Sequence, residues 1–147
     1  MSFDNSFLEK QISKGIKLLE SGNLIDADKI FKKLSQNEIT KTISYLFLGI
    51  IQIKKKNNIQ AKNFFEKILN IDNYHQDANL KLGLVYFNEN DFKKANFYFD
   101  KVIKINKTNI NAHYHKGLIN LFENKHDSAK IQFNICKDID KKFFYAY

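Results

Sequence analysis

Apolar residues recur along this chain at helical spacing, in pairs of segments separated by short polar turns. The pattern is clearest in residues 77–89, where Leu80, Leu84 and Phe87 lie three or four positions apart. That spacing predicts an amphipathic helix. A second apolar series follows after a polar turn. In it, Ala95 and the apolar residues that follow it form the predicted inner face of another helix.

Polar residues at the ends of these segments predict where the helices begin. Asn90 or Asp91 is placed to cap one helix, and Thr108 or Asn109 the next. The predicted helices are 6–20, 24–36, 39–55, 58–70, 77–89, a segment following Asp91, 109–123 and 126–138.

Three residue types repeat together with a step of 34 residues. Such self-similarity over four copies indicates a repeat architecture, in which each unit buries its apolar face against its neighbours. The series are Gly15, Gly49, Gly83 and Gly117; Ala27, Ala61, Ala95 and Ala129; and Phe31, Phe65, Phe99 and Phe133.

The repeated glycine lies inside the first helix of each unit, here called helix A. Glycine costs about 1 kcal/mol there relative to alanine, so packing has to favour it. We therefore predict that helix A closely approaches the second helix, helix B. The repeated alanine would be the small partner on helix B, and the phenylalanine would fill the space beside that contact.

The repeat predicts a single array over residues 1–147, with the glycine as the eighth residue of each unit. The units are 8–41, 42–75, 76–109 and 110–143. A second alanine series, Ala78, Ala112 and Ala146, has the same step. It predicts that residues 144–147 start a fifth unit or a capping helix, so that the chain is the N-terminal piece of a longer polypeptide or associates with another copy through its end.

The period of 34, the paired helices and the Leu-Gly…Tyr…Ala…Phe pattern resemble the tetratricopeptide repeat. The third unit carries the pattern best and the second keeps most of it. Gln52, Val102, Lys116 and Asn120 depart from it, and the closing proline is absent throughout. The resemblance implies an all-α fold, a right-handed superhelical solenoid of antiparallel helix pairs.

The resemblance also implies that helix A of each unit lines a concave face that binds peptides. At the matching positions this chain carries apolar residues rather than the lysine and asparagine of a carboxylate clamp, which argues against a clamp. We therefore expect an apolar groove for a peptide or an amphipathic helix; the alternative is that part of the set is ordinary core. The groove residues are Ile12, Ile16, Leu19, Ile43, Leu46, Ile50, Ile53, Leu80, Leu84, Phe87, Tyr114, Leu118, Leu121 and Phe122.

Charge adds little to this interpretation. The net charge is +8 and every basic residue is lysine, but the excess is spread along the chain. The only lysine run, residues 54–56, lies at a predicted helix end, where cations favour the helix dipole. Without arginine for bidentate contacts, no specific nucleic-acid recognition is expected. No stretch reaches the ~20 apolar residues of a membrane span, and the N-terminus lacks a signal-peptide pattern. A cytoplasmic protein is expected.

No residue pattern predicts catalysis, a metal or a cofactor. His113 and His115 are two positions apart and point in different directions on a helix, so the histidines are interpreted as solvated surface residues. Cys136 is expected to be an inert core thiol.

Two functions remain. The first is a non-catalytic protein-interaction scaffold, whose partner is a protein or peptide segment or another copy of the chain. The second, implied by the resemblance, is the N-terminal accessory array of a larger enzyme such as a sulfotransferase or glycosyltransferase, with the catalytic domain beyond residue 147.

Overall fold

The computed structural model describes residues 5–141, and within this range the regular structure is entirely α-helical. The helices are α1 (Asn5–Glu20), α2 (Leu24–Leu34), α3 (Lys41–Lys54), α4 (Asn58–Ile71), α5 (Gln76–Asn88), α6 (Phe92–Ile105), α7 (Ile110–Phe122) and α8 (His126–Ile139). The chain divides into two compact bodies, the first ending at Asn73 and the second beginning at Tyr74. The proposed start of a fifth unit, residues 144–147, lies outside the described range.

Each body contains two helix pairs. In the first body α1 packs on α2, α2 on α3 and α3 on α4. In the second body α5 packs on α6, α6 on α7 and α7 on α8, and α5 also contacts α7. The A helices of the repeat are α1, α3, α5 and α7, and the B helices are α2, α4, α6 and α8.

Side-chain caps define the starts of most B helices. The backbone N–H of Lys94 donates to Asp91 Oδ1 at 3.1 Å, so Asp91 rather than Asn90 is the cap of α6. Asn57 caps α4 in the same way, through the backbone N–H of Gln60 at 3.2 Å. These bonds satisfy backbone donors that a helix start leaves free.

The turn from helix A to helix B has the same backbone conformation in every unit. Its left-handed residue recurs with the 34-residue step: Gly22 at φ 82°, Lys56 at 59°, Asn90 at 60° and Asn124 at 58°. Glycine and asparagine adopt this region most readily. Lys56 is therefore the costly member of the series.

The connection between α2 and α3 differs from its prediction. α2 ends at Leu34 rather than residue 36, and α3 begins at Lys41 rather than residue 39. Short polar side chains bond to the backbone here and compete with the helix. The Thr40 hydroxyl donates to the Leu34 carbonyl at 2.6 Å, and the Ile39 N–H donates to Asn37 Oδ1 at 2.9 Å.

The repeated apolar residues form the core of each body. The first core stacks the rings of Phe31 and Phe47 at 4.7 Å between centroids. Its buried members are Leu8, Leu19, Ala27, Phe31, Leu34, Leu48 and Ile51, and those of the second core are Ala95, Phe99, Val102, Ala112 and Ile119.

The repeated glycines lie where helix A closely approaches helix B, as predicted, but the partner is not the alanine. A β-carbon built on Gly83 would lie 2.6 Å from Cε1 of Phe99. The ring of the corresponding phenylalanine faces each of the other three glycines, through Phe31, Phe65 and Phe133. The phenylalanine therefore covers the glycine itself, and the buried alanine lies one turn away on the same helix.

We predict that Gly83→Ala destabilises the protein. The methyl group would overpack against the buried Phe99 ring at a cost of about 1–3 kcal/mol, while the gain in helix propensity is about 1 kcal/mol. Urea unfolding should show a net loss of up to about 2 kcal/mol. The loss should shrink in a Phe99→Leu background, and a net stabilisation by Gly83→Ala alone would contradict the contact.

Lys56→Asn should stabilise the first body. Asparagine accepts the left-handed backbone at Lys56 at lower cost, so the free energy of unfolding should rise by about 0.5–1 kcal/mol. Lys56→Ala is the matched control, because it removes the same charge but keeps a residue that disfavours this region. Equal gains for both variants would show that charge, not conformation, is the cause.

Candidate functional site

All fourteen residues predicted for the groove lie on A helices, but their exposure differs between the bodies. In the first body Leu19 is only 6% exposed and belongs to the core. Ile12, Ile16 and Ile50 are half-buried and pack against that core. Leu46 and Ile53 are also half-buried, and Ile43 is 38% exposed. Of the residues predicted on the A helices of the first body, therefore, only Ile43 is exposed.

The second body leaves more of its predicted residues accessible. Leu80, Leu84 and Phe87 are half-buried against its core. Tyr114 and Leu118 are half-buried on α7. At the end of the same helix Leu121 is 41% exposed and Phe122 is 63% exposed.

An aromatic cluster joins these accessible residues in the second body; we define it as Phe87, Phe92, His115 and Phe122. Phe92 and Phe122 stack at 5.3 Å between ring centroids with an interplanar angle of 13°. Phe87 contacts Phe122 at 6.1 Å and meets His115 edge-on at 5.1 Å. The cluster connects the ends of α5 and α7 to the start of α6.

Two members of the aromatic cluster, Phe92 and His115, were not among the predicted groove residues. Phe92 is the first residue of a B helix, outside the positions that the resemblance selects. Its signal in the sequence was an aromatic residue directly after a capping residue, a position where helix B starts beside the end of helix A.

The environment of His115 is mainly apolar. Its ring stacks on Phe99 at 5.5 Å and meets Tyr114 edge-on at 5.5 Å. The Nδ1–H donates to the Asn111 carbonyl at 2.8 Å, which leaves Nε2 as the atom that takes up a proton. Burial lowers the pKa of His115, and the hydrogen bond to Asn111 opposes this shift only in part.

The interpretation of all histidines as solvated surface residues was wrong for His113 as well as His115. His113 is buried, with Nδ1 2.8 Å from the Gln132 side-chain amide oxygen and Nε2 donating to the Lys107 carbonyl at 3.0 Å. It lies at the helix A position that faces helix B, which the spacing of two residues did not reveal.

The remaining residues considered for chemistry are Cys136 and the side chains that can bind a metal ion. Cys136 is buried as expected, and burial raises the pKa of its thiol, which disfavours the nucleophilic thiolate. Across residues 5–141 no three His, Cys, Asp or Glu side chains are placed to hold a metal ion.

Ion pairs explain two polar residues in packed positions. Lys116, which departs from the apolar pattern of helix A, pairs with Asp100 of α6. Asp28, nearly buried on α2, lies 2.6 Å from Lys32 Nζ and 3.7 Å from Lys55 Nζ at the end of α3. These pairs compensate charges that partial burial would otherwise disfavour.

Within the described range, no helix has the length and hydrophobicity needed to cross a bilayer.

Comparison with known proteins identifies the repeat. Residues 43–75 and residues 76–109 each match a family model described as tetratricopeptide repeat. A search of curated proteins finds no match.

Solved structures share the fold at low sequence identity. A crystal structure of MamA has a TM-score of 0.80 at 24% identity, covering 94% of this chain and 81% of that chain. MamA 41-end from Desulfovibrio magneticus RS-1 has a TM-score of 0.77 at 21% identity, covering 92% and 76%. A tetratricopeptide repeat protein from Parabacteroides merdae has a TM-score of 0.79 at 18% identity; this chain covers 54% of it and is itself covered over 92%.

The fold class is thus all-α, of the solenoid type built from helix pairs. The matches to the second and third units confirm the resemblance stated from the sequence. Residues 43–109 therefore consist of two tetratricopeptide repeats, and repeats of this family support a role as a protein-interaction scaffold.

We predict that His115 makes the second body less stable in acid. Its pKa in the folded state lies below the ordinary value of 6.5, so the unfolded chain binds the proton more readily. The His115 contribution is complete above pH 6.5 and is lost as the pH falls from 6.5 towards the folded pKa.

Urea unfolding at pH 7.5, 6.0 and 5.0 tests this prediction. The decrease in unfolding free energy from pH 7.5 to 5.0 should be smaller in His115→Phe than in the wild type. His126→Phe, at an exposed site in the first turn of α8, is the control and should keep the wild-type decrease. An unchanged pH dependence in His115→Phe would contradict the prediction.

Proposed function

We propose that the second body binds an amphipathic helix or apolar peptide through half-buried apolar side chains of α5, half-buried and exposed ones of α7, and the aromatic cluster. The observation that carries this proposal is the exposure of Phe122 and Leu121 beside the half-buried Phe87. Exposed aromatic and aliphatic side chains that adjoin one another are typical of binding surfaces rather than of scattered surface residues.

The composition of the surface supports a helical or extended apolar partner. Aromatic rings supply large contact areas at low conformational cost and are enriched where binding energy is concentrated. Phe87 and Phe122 lie on the neighbouring A helices α5 and α7, and their rings are already in contact. A partner would therefore meet a preformed apolar surface, which reduces the entropy lost on binding.

The positive charge of the chain favours a partner with acidic residues on its polar side. The net charge is +8, and long-range attraction accelerates association with an oppositely charged ligand. An amphipathic helix with leucine on one face and glutamate on the other satisfies both the apolar surface and the charge of the chain.

We predict that Leu84→Asp combined with Leu118→Asp abolishes binding of such a helix. The probe is a fluorescein-labelled 18-residue peptide with a leucine face and a glutamate-rich face, followed by fluorescence anisotropy. Two buried carboxylates would have to lose their hydration against the apolar face, so the Kd should rise at least tenfold while the helical circular dichroism of the protein is retained.

Two controls separate specific binding from charge effects. Ile59→Asp combined with Ile131→Asp adds the same charge at exposed apolar residues on B helices and should leave the Kd within twofold. A scrambled peptide of identical composition should bind at least tenfold more weakly. Equal effects of the two protein variants would overturn the proposed surface.

Self-association is a distinct outcome of the same variants. Light scattering on the wild type gives its oligomeric state. A dimer that dissociates only in the Leu84→Asp and Leu118→Asp variant would show that a second copy of the chain, rather than a separate partner, covers the surface.

A further inference from the structure

The first body contains a cavity. It has a volume of about 650 Å³ and lies between α1, α2 and the loop that precedes α3. Such a volume falls within the ~300–1,000 Å³ of small-ligand sites. Its lining residues are Phe7, Leu8, Gln11, Ile30, Lys33, Leu34, Gln36, Asn37, Glu38 and Ile39.

The 34-residue step shows what occupies the corresponding place in the second unit. Gln11, Ile30 and Lys33 correspond to Tyr45, Phe64 and Lys67. There the Tyr45 and Phe64 rings pack at 6.0 Å between centroids. The ammonium group of Lys67 lies 5.4 Å from both ring centroids, within the range of a cation–π contact.

The fourth unit confirms that these two positions face each other. The corresponding residues are His113 and Gln132, whose side chains are hydrogen-bonded at 2.8 Å. In the first unit the same pair, Gln11 and Ile30, lines the cavity. The first unit thus has no aromatic ring at these two positions but keeps the lysine.

The short helix α2 widens the cavity. α4, α6 and α8 each have 14 residues, whereas α2 has 11 and ends at Leu34. The residues that would complete its last turn instead form the loop wall. Hydrogen bonds from Thr40 to the Leu34 carbonyl and from Ile39 to Asn37 fix that wall. Ile39 is 74% exposed at its edge.

We propose that this cavity binds an aromatic side chain of a peptide partner. Leu8, Leu34 and Ile30 supply an apolar floor. Lys33 supplies the cation that its counterpart Lys67 places over two rings in the second unit. A bound phenylalanine or tyrosine ring would replace the aromatic side chains that the first unit lacks. This site is independent of the proposed surface on α5 and α7, and the two can fail separately.

The test compares two uncharged amino-acid amides as probes of the full chain. N-acetyl-phenylalaninamide should cause saturable shifts in the backbone NMR signals of Ile30, Leu34 and Ile39. N-acetyl-leucinamide should bind at least fivefold more weakly, because it offers no ring for Lys33. The absence of saturation, or equal affinity for the two amides, would overturn the proposal.

Variants show whether the lysine and the cavity are responsible. Lys33→Met should weaken binding of the phenylalanine amide at least threefold and leave that of the leucine amide unchanged. Lys67→Met removes the corresponding cation of the second unit and should leave both affinities unchanged. If the two variants act alike, Lys33 has no special role and the proposal fails.

Filling the cavity gives a second, independent measurement. Gln11→Tyr with Ile30→Phe installs the rings of the second unit, and should abolish probe binding and raise the unfolding temperature. Retained binding in this variant would overturn the site.

Deletion of residues 1–4, which include Phe3, tests whether the chain's own N-terminal segment occupies the cavity. If the amide binds only after this deletion, the chain's own N-terminal segment fills the cavity, and the proposal of an external partner is wrong.

Discussion

The contact on which the structure depends is a phenylalanine ring of helix B lying directly on a glycine of helix A. It recurs in all four units, and a single β-carbon would disturb it in each. Phe31, Phe65 and Phe99 are fully buried by this contact. Because the ring takes the volume of the missing side chain, the helices pack closely at that point without a void. The helix-propensity cost of an internal glycine is thus offset by burial of an entire aromatic side chain.

A fixed contact at one point of each helix pair allows other positions to vary. One such variable position on helix A contacts one on helix B. These two residues are Tyr45 and Phe64 in the second unit, and His113 and Gln132 in the fourth. The first pair makes an aromatic contact and the second a hydrogen bond, yet both units keep the same fold. The buried His113 is tolerated because each of its ring nitrogens lies within hydrogen-bond distance of a polar atom, Gln132 Oε1 or the Lys107 carbonyl oxygen.

The fold class could be predicted from the sequence because each position of the repeat occurs four times, so that one irregular residue does not hide the pattern. The boundaries of α5, α7 and α8 agree with prediction within one residue. Prediction failed where a unit departs from the pattern. The early end of α2 depends on side-chain bonds of Asn37 and Thr40 to the backbone, which hydrophobic spacing does not encode. The burial of His113 and the contacts of Phe92 depend on which face meets the next helix, and residue spacing within one helix cannot show that.

The candidate sites follow from the same distinction between repeated and variable positions. Among the residues predicted for the groove, Leu19 lies in the core, whereas Leu121 and Phe122 are exposed at the end of α7, where Tyr114 and Leu118 are half-buried. The cavity likewise lies in the first unit, where the aromatic pair and the last turn of helix B are both missing. Residues that repeat are selected for packing within the chain, so they offer no specificity for a partner. Recognition has to come from residues that do not repeat. In the second body these are Phe92, His115 and Phe122 of the aromatic cluster, whereas Leu84 and Leu118 follow the 34-residue step. In the first body they are the cavity residues Gln11 and Ile30.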